Sequence, residues 1–322
     1  MSDNGDVSGF RFPTSRIPYP ERRGLEVFPN GARMALLVYV AAEEWRWGMN
    51  ETMDPPATWR HGEKYLSLST RSAIEYGFNV GLYRMRDFCA EAGFKMAILP
   101  NGTTIERHRE LIELLVADGH PLIGHAYSEG MPMPTLDREQ QRESVTKSIE
   151  LIKSVTGSPP AGWIGPGAKA DRNTIELVAE AGLSWHGDLQ DDELPYFLHV
   201  GDRVLVEVPY RMVGNLNDLL IATHMGTQRS VTELVDYVTS SFEAYLARAA
   251  THPLIMNYGM HPLGSGRPDT FEGLRALIDR AKARDDVWIC THDELAQWWD
   301  SRFRALVPEG GGDIDVRALA HS

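Results

Sequence analysis

One short segment of the chain pairs a histidine with a carboxylate at a spacing that suits metal binding or catalysis. In GHAYSEG (124–130), Glu129 follows His125 by four residues, and a turn of helix would place both side chains on one face. Glu43, just after the apolar segment MALLVYV (34–40), is a candidate third ligand. One imidazole and two carboxylates with an open position suit Zn²⁺ or Mn²⁺, which lower the pKa of a bound water. The alternative is a hydrogen-bonded structural histidine beside two solvated glutamates.

A second histidine follows an apolar segment late in the chain. In YGMHPLGSGRP (258–268), His261 ends a predicted strand and precedes a loop that Gly and Pro residues bend back over the sheet. A neutral imidazole at this position suits general acid or base catalysis near pH 7. The alternative is a histidine that only anchors the loop.

A glycine-rich loop lies between these two segments. In AGWIGPGAKADRN (161–173), the backbone N–H groups around Pro166 and Gly167 could face a developing oxyanion. The loop could equally be an ordinary strand-to-helix turn, with Asp171 or Asn173 as the helix N-cap. The sequence leaves both interpretations open.

The elements that must position these residues alternate regularly between short apolar runs and amphipathic stretches. MALLVYV (34–40), KMAILP (95–100) and PLIGHA (121–126) are predicted strands, and the helical periods 81–93 and 104–119 separate them. About seven or eight such units predict a mostly parallel α/β sheet closed into a distorted (β/α)7–8 barrel, whose functional groups lie at the carboxyl ends of the strands. We predict an N-terminal arm over residues 1–30, the barrel over 31–305 and a flexible C-terminal tail over 306–322.

Composition excludes several classes of function. The formal net charge of −13 argues against nucleic-acid binding, which needs clustered Lys and Arg. No apolar run approaches the roughly 20 residues that cross a bilayer, so we expect no membrane partner. The first residues lack a basic region followed by an apolar one, which predicts a cytoplasmic protein. Two cysteines, Cys89 and Cys290, belong to no ligand pair and are expected in the core.

The order of these motifs resembles that of the polysaccharide deacetylase superfamily, the carbohydrate esterase family 4-like enzymes. That family has an Asp-rich motif after the first strand, an HxxxH-type motif after the third, an RPxxG-like loop and a late histidine motif. The similar stretches of this chain, in the same order, are VYVAAEEW (38–45), GHAYSEG (124–130), WIGPGAK (163–169) and YGMHPLGSGRP (258–268). The resemblance covers roughly residues 30 to 302 and implies a barrel of the NodB-like type.

Within the superfamily, the chain most resembles the allantoinase-like and cyclic-imidase-like branch. That branch has segments similar to SAIEYGFNVGLYRM (72–85) and DLQDDELPYF (188–197), and two adjacent glutamates at Glu43 and Glu44. The resemblance alone implies that Tyr76, Asp191 and Asp192 contact the substrate or a neighbouring subunit.

The departures from the family pattern bear on the reaction. The family's catalytic-base Asp falls at Ala41, its first metal Asp at Glu43 and its second motif histidine at Glu129. The Arg that opens its third loop is replaced near Ile164 or Gly165. Deacetylation of N-acetyl sugars by the usual mechanism therefore becomes a poorer prediction, and some enzymes of the branch are thought to work without a metal.

We therefore predict hydrolysis of an amide, imide or ureide C–N bond in a small, cyclic substrate. Water would be activated by Zn²⁺ or Mn²⁺ on Glu43, His125 and Glu129, or by a carboxylate if no metal binds. Glu44 is the candidate base or substrate-orienting acid, and His261 would protonate the leaving nitrogen or stabilise the oxyanion. The predicted substrate contacts are Trp45, Tyr76, Tyr127, Pro166, Gly167 and Trp185.

Two other functions stay open at this stage. One is deacetylation of an N- or O-acetylated saccharide or small N-acyl compound, and the other is a degenerate member that only binds a small ligand. The predicted partner is a small molecule, and the relatives' habits imply a homo-oligomer, either a dimer or a tetramer.

Overall fold

A computed structural model describes residues 12–44, 68–129, 132–210 and 230–317 of the chain. The strands in these ranges are β1 (Thr14–Arg16), β2 (Met34–Ala42), β3 (Ala97–Pro100), β4 (Gly162–Trp163), β5 (Trp185–His186), β6 (Tyr196–Val200), β7 (Arg203–Glu207), β8 (Leu254–Met260), β9 (Val287–Cys290) and β10 (Gly312–Asp313).

Helices separate most of the parallel strands. They are α1 (Leu68–Tyr76), α2 (Leu82–Ala92), α3 (Gly102–Arg107), α4 (Arg109–Ala117), α5 (Arg138–Thr156), α6 (Arg172–Glu180), α7 (Val231–Ala249), α8 (Pro262–Ser265), α9 (Glu272–Lys282) and α10 (His292–Phe303). A π-helical turn, Gly77–Gly81, joins α1 to α2. Short 3₁₀ turns occur at Tyr19–Arg22, Pro29–Gly31, Met133–Thr135, Pro166–Ala168 and Arg304–Leu306. In the described ranges, no helix is both long enough and apolar enough to cross a membrane.

The central strand β2 is buried along its whole length, as expected for a parallel strand covered on both faces. Its even-numbered residues, such as Leu36 and Val40, pack against helices α2, α4, α7 and α9. Its odd-numbered residues, such as Leu37 and Tyr39, pack against α10 and against inner residues of the other strands. Because side chains alternate along a strand, this second face, here called the inner face, continues to whichever odd residue follows the strand.

The strands form two sheets that are mostly parallel. One has the order β10-β1-β6-β7-β5-β4, and the other has the order β3-β2-β8 with β9 also pairing with β2. Isolated parallel bridges at Leu122 and Gly124 connect β3 to β4 and so link the sheets. The predicted α/β fold with mostly parallel strands and flanking helices is confirmed, whereas closure of the described strands into a (β/α)7–8 barrel stays a prediction.

Two short strands outside the predicted barrel boundaries are part of one sheet. Strand β1 pairs with β6 on one side and with β10 on the other, and Ile314 just after β10 is fully buried. Residues 14–16 of the predicted N-terminal arm and residues 312–313 of the predicted C-terminal tail therefore pair in a sheet. Sequence reasoning missed them because each strand is too short to show a period of its own.

Candidate active site

Glu43 and Glu44 leave the end of β2 on opposite faces. Glu43 continues the odd-numbered series of the inner face, whereas Glu44 continues the even-numbered series that faces the helices. His261 follows β8 in the same way, because Ile255 of that strand packs on the inner face. Because of this alternation, Glu43 and His261 lie together on the inner face, at the ends of β2 and β8. Glu44 lies on the opposite face, which is covered by helices.

Four side chains meet at this end of the inner face. The Glu43 carboxylate lies between two imidazoles, with Oε1 3.0 Å from His125 Nε2 and Oε2 3.1 Å from His261 Nε2. Glu129 Oε2 lies 3.9 Å from the same His125 nitrogen. All but His261 are less than a tenth exposed. The predicted group of Glu43, His125, Glu129 and His261 is thus brought together.

Within the described ranges, one group of His, Cys, Asp or Glu side chains has metal-ligand geometry. It consists of Glu43, His125 and Glu129, whose ligand atoms lie within 4.8 Å of one another. The sequence-based argument expected a helical turn to join the last two residues. Residues 125–129 form an irregular turn instead, in which buried Ala126 has the positive φ of 56°. Such a conformation is costly for a residue with a Cβ and is typical of functional sites.

The orientation of His125 is fixed by its other ring nitrogen. Nδ1 lies 2.6 Å from the carbonyl oxygen of Ile164 and donates to it, because a carbonyl can only accept. Nε2 is then the nitrogen that faces Glu43, either protonated or with a lone pair for a cation. A ligand histidine held by a carbonyl in this way is the usual arrangement in metal sites.

Burial and charge separate the pKa values of the two carboxyl groups. Burial alone would raise the pKa of Glu43, but His261 and His125 outweigh it and lower the pKa to about 2. Burial and the charge of Glu43 raise the pKa of Glu129 to about 8, although His125 opposes this change. Burial would lower the pKa of each histidine, yet the contacts with Glu43 raise both. The site therefore holds an ionised carboxylate beside one that keeps its proton near neutral pH.

Asn101 is a site residue that the predicted ligand set left out. Its amide nitrogen donates to the carbonyl of His125 at 2.7 Å and lies 3.4 Å from Glu129 Oε2, while its buried Oδ1 has no hydrogen-bond partner. Its position directly after β3, on the inner face, was the available signal.

The loop that carries His261 is packed against the π-helical turn. A Cβ on Gly77 would lie 2.9 Å from the backbone nitrogen of Leu263, and one on Gly81 would overlap the carbonyl oxygen of Pro262. Because both positions must be glycine for this approach, the EYGFNVG segment sets the position of the His261 loop. Tyr76 belongs to this support, since its hydroxyl lies 3.4 Å from the carbonyl of Gly266.

Glu44, the candidate base, lies in a separate polar cluster. Its side chain is 4% exposed and pairs with Arg71, with Arg107 at 3.1 Å and with His108 at 3.3 Å. Burial would raise its pKa, but His108 and Arg71 outweigh that effect and lower it. Glu44 is therefore a stably ionised anchor between β2 and helices α1 and α3. No local pattern predicts its partners, which lie far away in the chain.

The other predicted contacts occupy varied positions. Pro166 is buried, Gly167 has φ 63° and Asp171 caps α6 through a capping box, so the loop has the features of a strand-to-helix turn. Trp185 is fully buried and donates to Asp293 at 2.7 Å. Tyr127 donates to Glu106 at 3.0 Å on the exposed side of α3. Trp45 lies outside the described residues.

Asp191 and Asp192 contact the N-terminal segment in this chain. Arg22 donates to both oxygens of Asp192, at 2.6 and 2.9 Å, and Arg16 donates to Asp191 at 2.7 Å. Both acids thereby hold residues 14–22 against the loop before β6.

The fold and this cluster define an α/β protein with a buried imidazole–carboxylate site at the carboxyl ends of its parallel strands. Residues 78–186 match the family model described as Polysaccharide deacetylase. This part of the chain is therefore similar to polysaccharide deacetylases, the family that the motif order resembles.

Individual proteins show the same similarity. The chain is 25% identical over 73% of its length to a Schizosaccharomyces pombe protein described as "Putative polysaccharide deacetylase", covering 77% of that protein. It is 33% identical to the Peptidoglycan deacetylase of Helicobacter pylori over 31% of this chain and 34% of that one. The crystal structure of Puue allantoinase superposes with a TM-score of 0.75 at 23% identity, covering 94% of this chain and 98% of the other. This last likeness concerns the fold.

Proposed function

We propose that this chain is a hydrolase that opens an amide, imide or ureide C–N bond in a small, cyclic substrate with an activated water. The observation that carries the proposal is the buried Glu43 carboxylate held between His125 and His261, with Glu129 beside it. Attack of water on a carbonyl carbon needs a group that activates the water and an acid for the leaving nitrogen. This cluster contains candidates for both tasks.

We propose Glu43, His125 and Glu129 as the residues that hold a Zn²⁺ or Mn²⁺ ion. The donor set fits, because His125 already donates through Nδ1 and keeps Nε2 toward the two carboxylates. Asn101 adds a buried Oδ1 without a partner next to the same residues. A bound divalent ion would lower the pKa of water and polarise the substrate carbonyl.

His261 is the proposed acid for the leaving nitrogen. Its ring is the most exposed of the four groups, at 20%, and so is the one best placed to reach a substrate. Contact with Glu43 raises its pKa despite burial, which favours the protonated form that can donate to nitrogen. If no metal binds, Glu129 is the carboxyl group suited to activate water once the pH exceeds its pKa of about 8 and the group is ionised.

Deacetylation is the second candidate, and the relatives favour it. The matched family model and both curated proteins are described as deacetylases. Deacetylation and ring opening both hydrolyse a C–N bond, since an N-acetyl group is also an amide. The difference lies in the product: acetate from a deacetylase, and a ring-opened acid from a cyclic substrate. A binding protein without turnover is the third possibility, because Ala41 stands where the family has its base.

The test combines metal analysis of the purified chain with a screen of hydantoins, ureides, imides and N-acetylated saccharides. We expect about one Zn²⁺ or Mn²⁺ per chain, ring opening of at least one cyclic compound, and loss of turnover in His261→Ala. Asn79→Ala, an exposed change on the π-helical turn, is the matched control. Acetate release without ring opening would favour the deacetylase, and ligand binding without turnover in any variant would show a binding protein.

A homo-oligomer is proposed on the family resemblance alone. Sedimentation velocity of the full chain would test it, with a dimer or tetramer as the expected species.

A further inference from the structure

A second buried charged group lies beside the candidate active site. The ring of His186, at the end of β5, lies between two carboxylates, with Nδ1 2.7 Å from Glu207 Oε2 and Nε2 3.2 Å from Asp188 Oδ2. All three side chains are fully buried. Since carboxylate oxygens can only accept, both ring nitrogens carry hydrogen and His186 is an imidazolium. Burial would lower its pKa, but Glu207 and Asp188 outweigh this and raise it to about 10.

The outer oxygens of the two carboxylates hold the backbone. Asp188 Oδ1 accepts from the Gly165 N–H at 2.7 Å, and Glu207 Oε1 accepts from the Leu189 N–H at 2.9 Å. Every carboxylate oxygen of the group thus has a donor, which is the condition for keeping such charges in a protein interior. A Cβ on Gly165 would lie 3.0 Å from Asp188 Oδ2, so the glycine permits this close approach.

One peptide unit connects this group to His125. The Gly165 N–H that Asp188 accepts and the Ile164 carbonyl that His125 Nδ1 contacts at 2.6 Å belong to the same planar amide. A hydrogen bond to the negative Asp188 at one end of an amide polarises it and strengthens the carbonyl as an acceptor at the other end. The next residue, Pro166, has no backbone N–H. At the start of this loop the Gly165 N–H is therefore the backbone donor that Asp188 holds.

We propose that Asp188, held by His186 and Glu207, is a positioning residue that fixes the proton of His125 on Nδ1 through the Ile164–Gly165 peptide unit. Nε2 is then kept toward Glu43 and Glu129 as the nitrogen available to a cation. The part of this proposal that concerns cation affinity rests on the proposed metal site, whereas the part that concerns the His125 ring does not.

The test uses the full chain and two readouts. The first is the dissociation constant for Zn²⁺ alone, measured by competition with a chromophoric chelator, and the second is the ¹⁵N NMR signature of the His125 ring. Asp188→Ala should weaken Zn²⁺ binding roughly 10- to 100-fold, as loss of an outer hydrogen bond does in metal sites, and should shift the ring toward mixed tautomers. His186 keeps Glu207 as its partner in this variant, so no lone charge is left buried.

Asp188→Asn is the rescue variant. Its amide oxygen can still accept from Gly165, and its NH₂ can donate to a neutral His186, so Zn²⁺ affinity and the His125 signature should stay close to those of the wild type. Asp192→Ala is the matched control, because it removes a buried carboxylate that does not touch this loop. If Asp188→Ala fails to fold, Asp188→Leu fills the same space without an acceptor.

The outcomes separate this proposal from the proposed function. If the wild type does not bind Zn²⁺, the proposed Zn²⁺ site is wrong, and the His125 ring signature alone decides the positioning role. Wild-type Zn²⁺ affinity together with a wild-type ring signature in Asp188→Ala or Asp188→Leu would overturn the proposal. Equal changes in Asp192→Ala would also overturn it, because they would reflect a general loss of stability.

Discussion

Glu43 and Glu44 are adjacent in the chain, yet their carboxylates contact different histidines on opposite faces of β2. Glu43 Oε1 lies 3.0 Å from His125 Nε2, and Glu44 Oε2 lies 3.3 Å from His108 Nε2. Because side chains alternate along β2, Glu43 lies in the candidate site, whereas Glu44 pairs with residues of the surrounding helices. This difference can be tested.

We expect Glu43→Gln and Glu44→Gln to affect different measurements. Glu43→Gln should reduce turnover by roughly 100-fold or more and weaken Zn²⁺ binding, because it removes a ligand charge from the cluster. Glu44→Gln should lower the free energy of unfolding by about 1–3 kcal/mol, since buried Arg71 loses its charged acceptor, and should leave Zn²⁺ affinity within a few-fold. Urea unfolding and Zn²⁺ titration of both variants check this. A larger loss of Zn²⁺ affinity in Glu44→Gln would contradict the division.

Gly81→Ala should displace the His261 loop. The added Cβ would overlap the carbonyl oxygen of Pro262, and overpacking of this kind costs about 1–3 kcal/mol. We expect a lower free energy of unfolding and a reduced kcat. Asn79→Ala lies in the same π-helical turn but is exposed, so it should change neither quantity. Comparable losses in both variants would show that the turn, and not the contact with Pro262, is at fault.

Asp192→Ala should release the N-terminal segment. Arg22 is 8% exposed and would lose both of its hydrogen bonds to the carboxylate, which costs about 3 kcal/mol for a buried pair. Asp191→Ala is the comparison, because that side chain is 59% exposed and should cost under about 1 kcal/mol. Urea unfolding, with limited trypsin digestion near Arg16 and Arg22, measures both effects. Equal loss of stability and equal digestion in the two variants would argue against a role of Asp192 in holding the N-terminal segment.

The charge on His186 should make the protein less stable as the pH rises above neutral. The folded pKa of about 10 lies above the unfolded value of 6.5, so this group stabilises the fold fully below pH 6.5 and loses the contribution as the pH rises toward 10. Within that window the folded state binds one more proton, which lowers the free energy of unfolding by about 1.4 kcal/mol per pH unit.

NMR of the His186 ring gives the direct measurement. Its ¹⁵N shifts should remain those of an imidazolium at pH 8, and urea unfolding between pH 6.5 and 9.5 should show the decline. A neutral ring at pH 8 would refute the assignment.

Much of the fold and part of the site follow from local pattern. Apolar runs alternating with amphipathic stretches predict the parallel sheet, and the strand ends identify Glu43, His125 and His261, because side-chain direction along a strand is a local property. The partners of Glu44 could not be predicted this way. Arg71 reaches Glu44 from α1 and His108 from the junction of α3 and α4, and their approach depends on how those helices pack on β2.

The amino-acid sequence by itself determined the order of strands and helices, the residues that end the inner-facing strands, and the spacing of His125 and Glu129. Only the tertiary structure decided which glutamate lies between His125 and His261, that β1 and β10 complete a sheet, and that one peptide unit joins the contacts of Asp188 and His125. The reason is physical: period and propensity act between neighbours in the chain, whereas hydrogen bonds and burial join residues that only folding brings together.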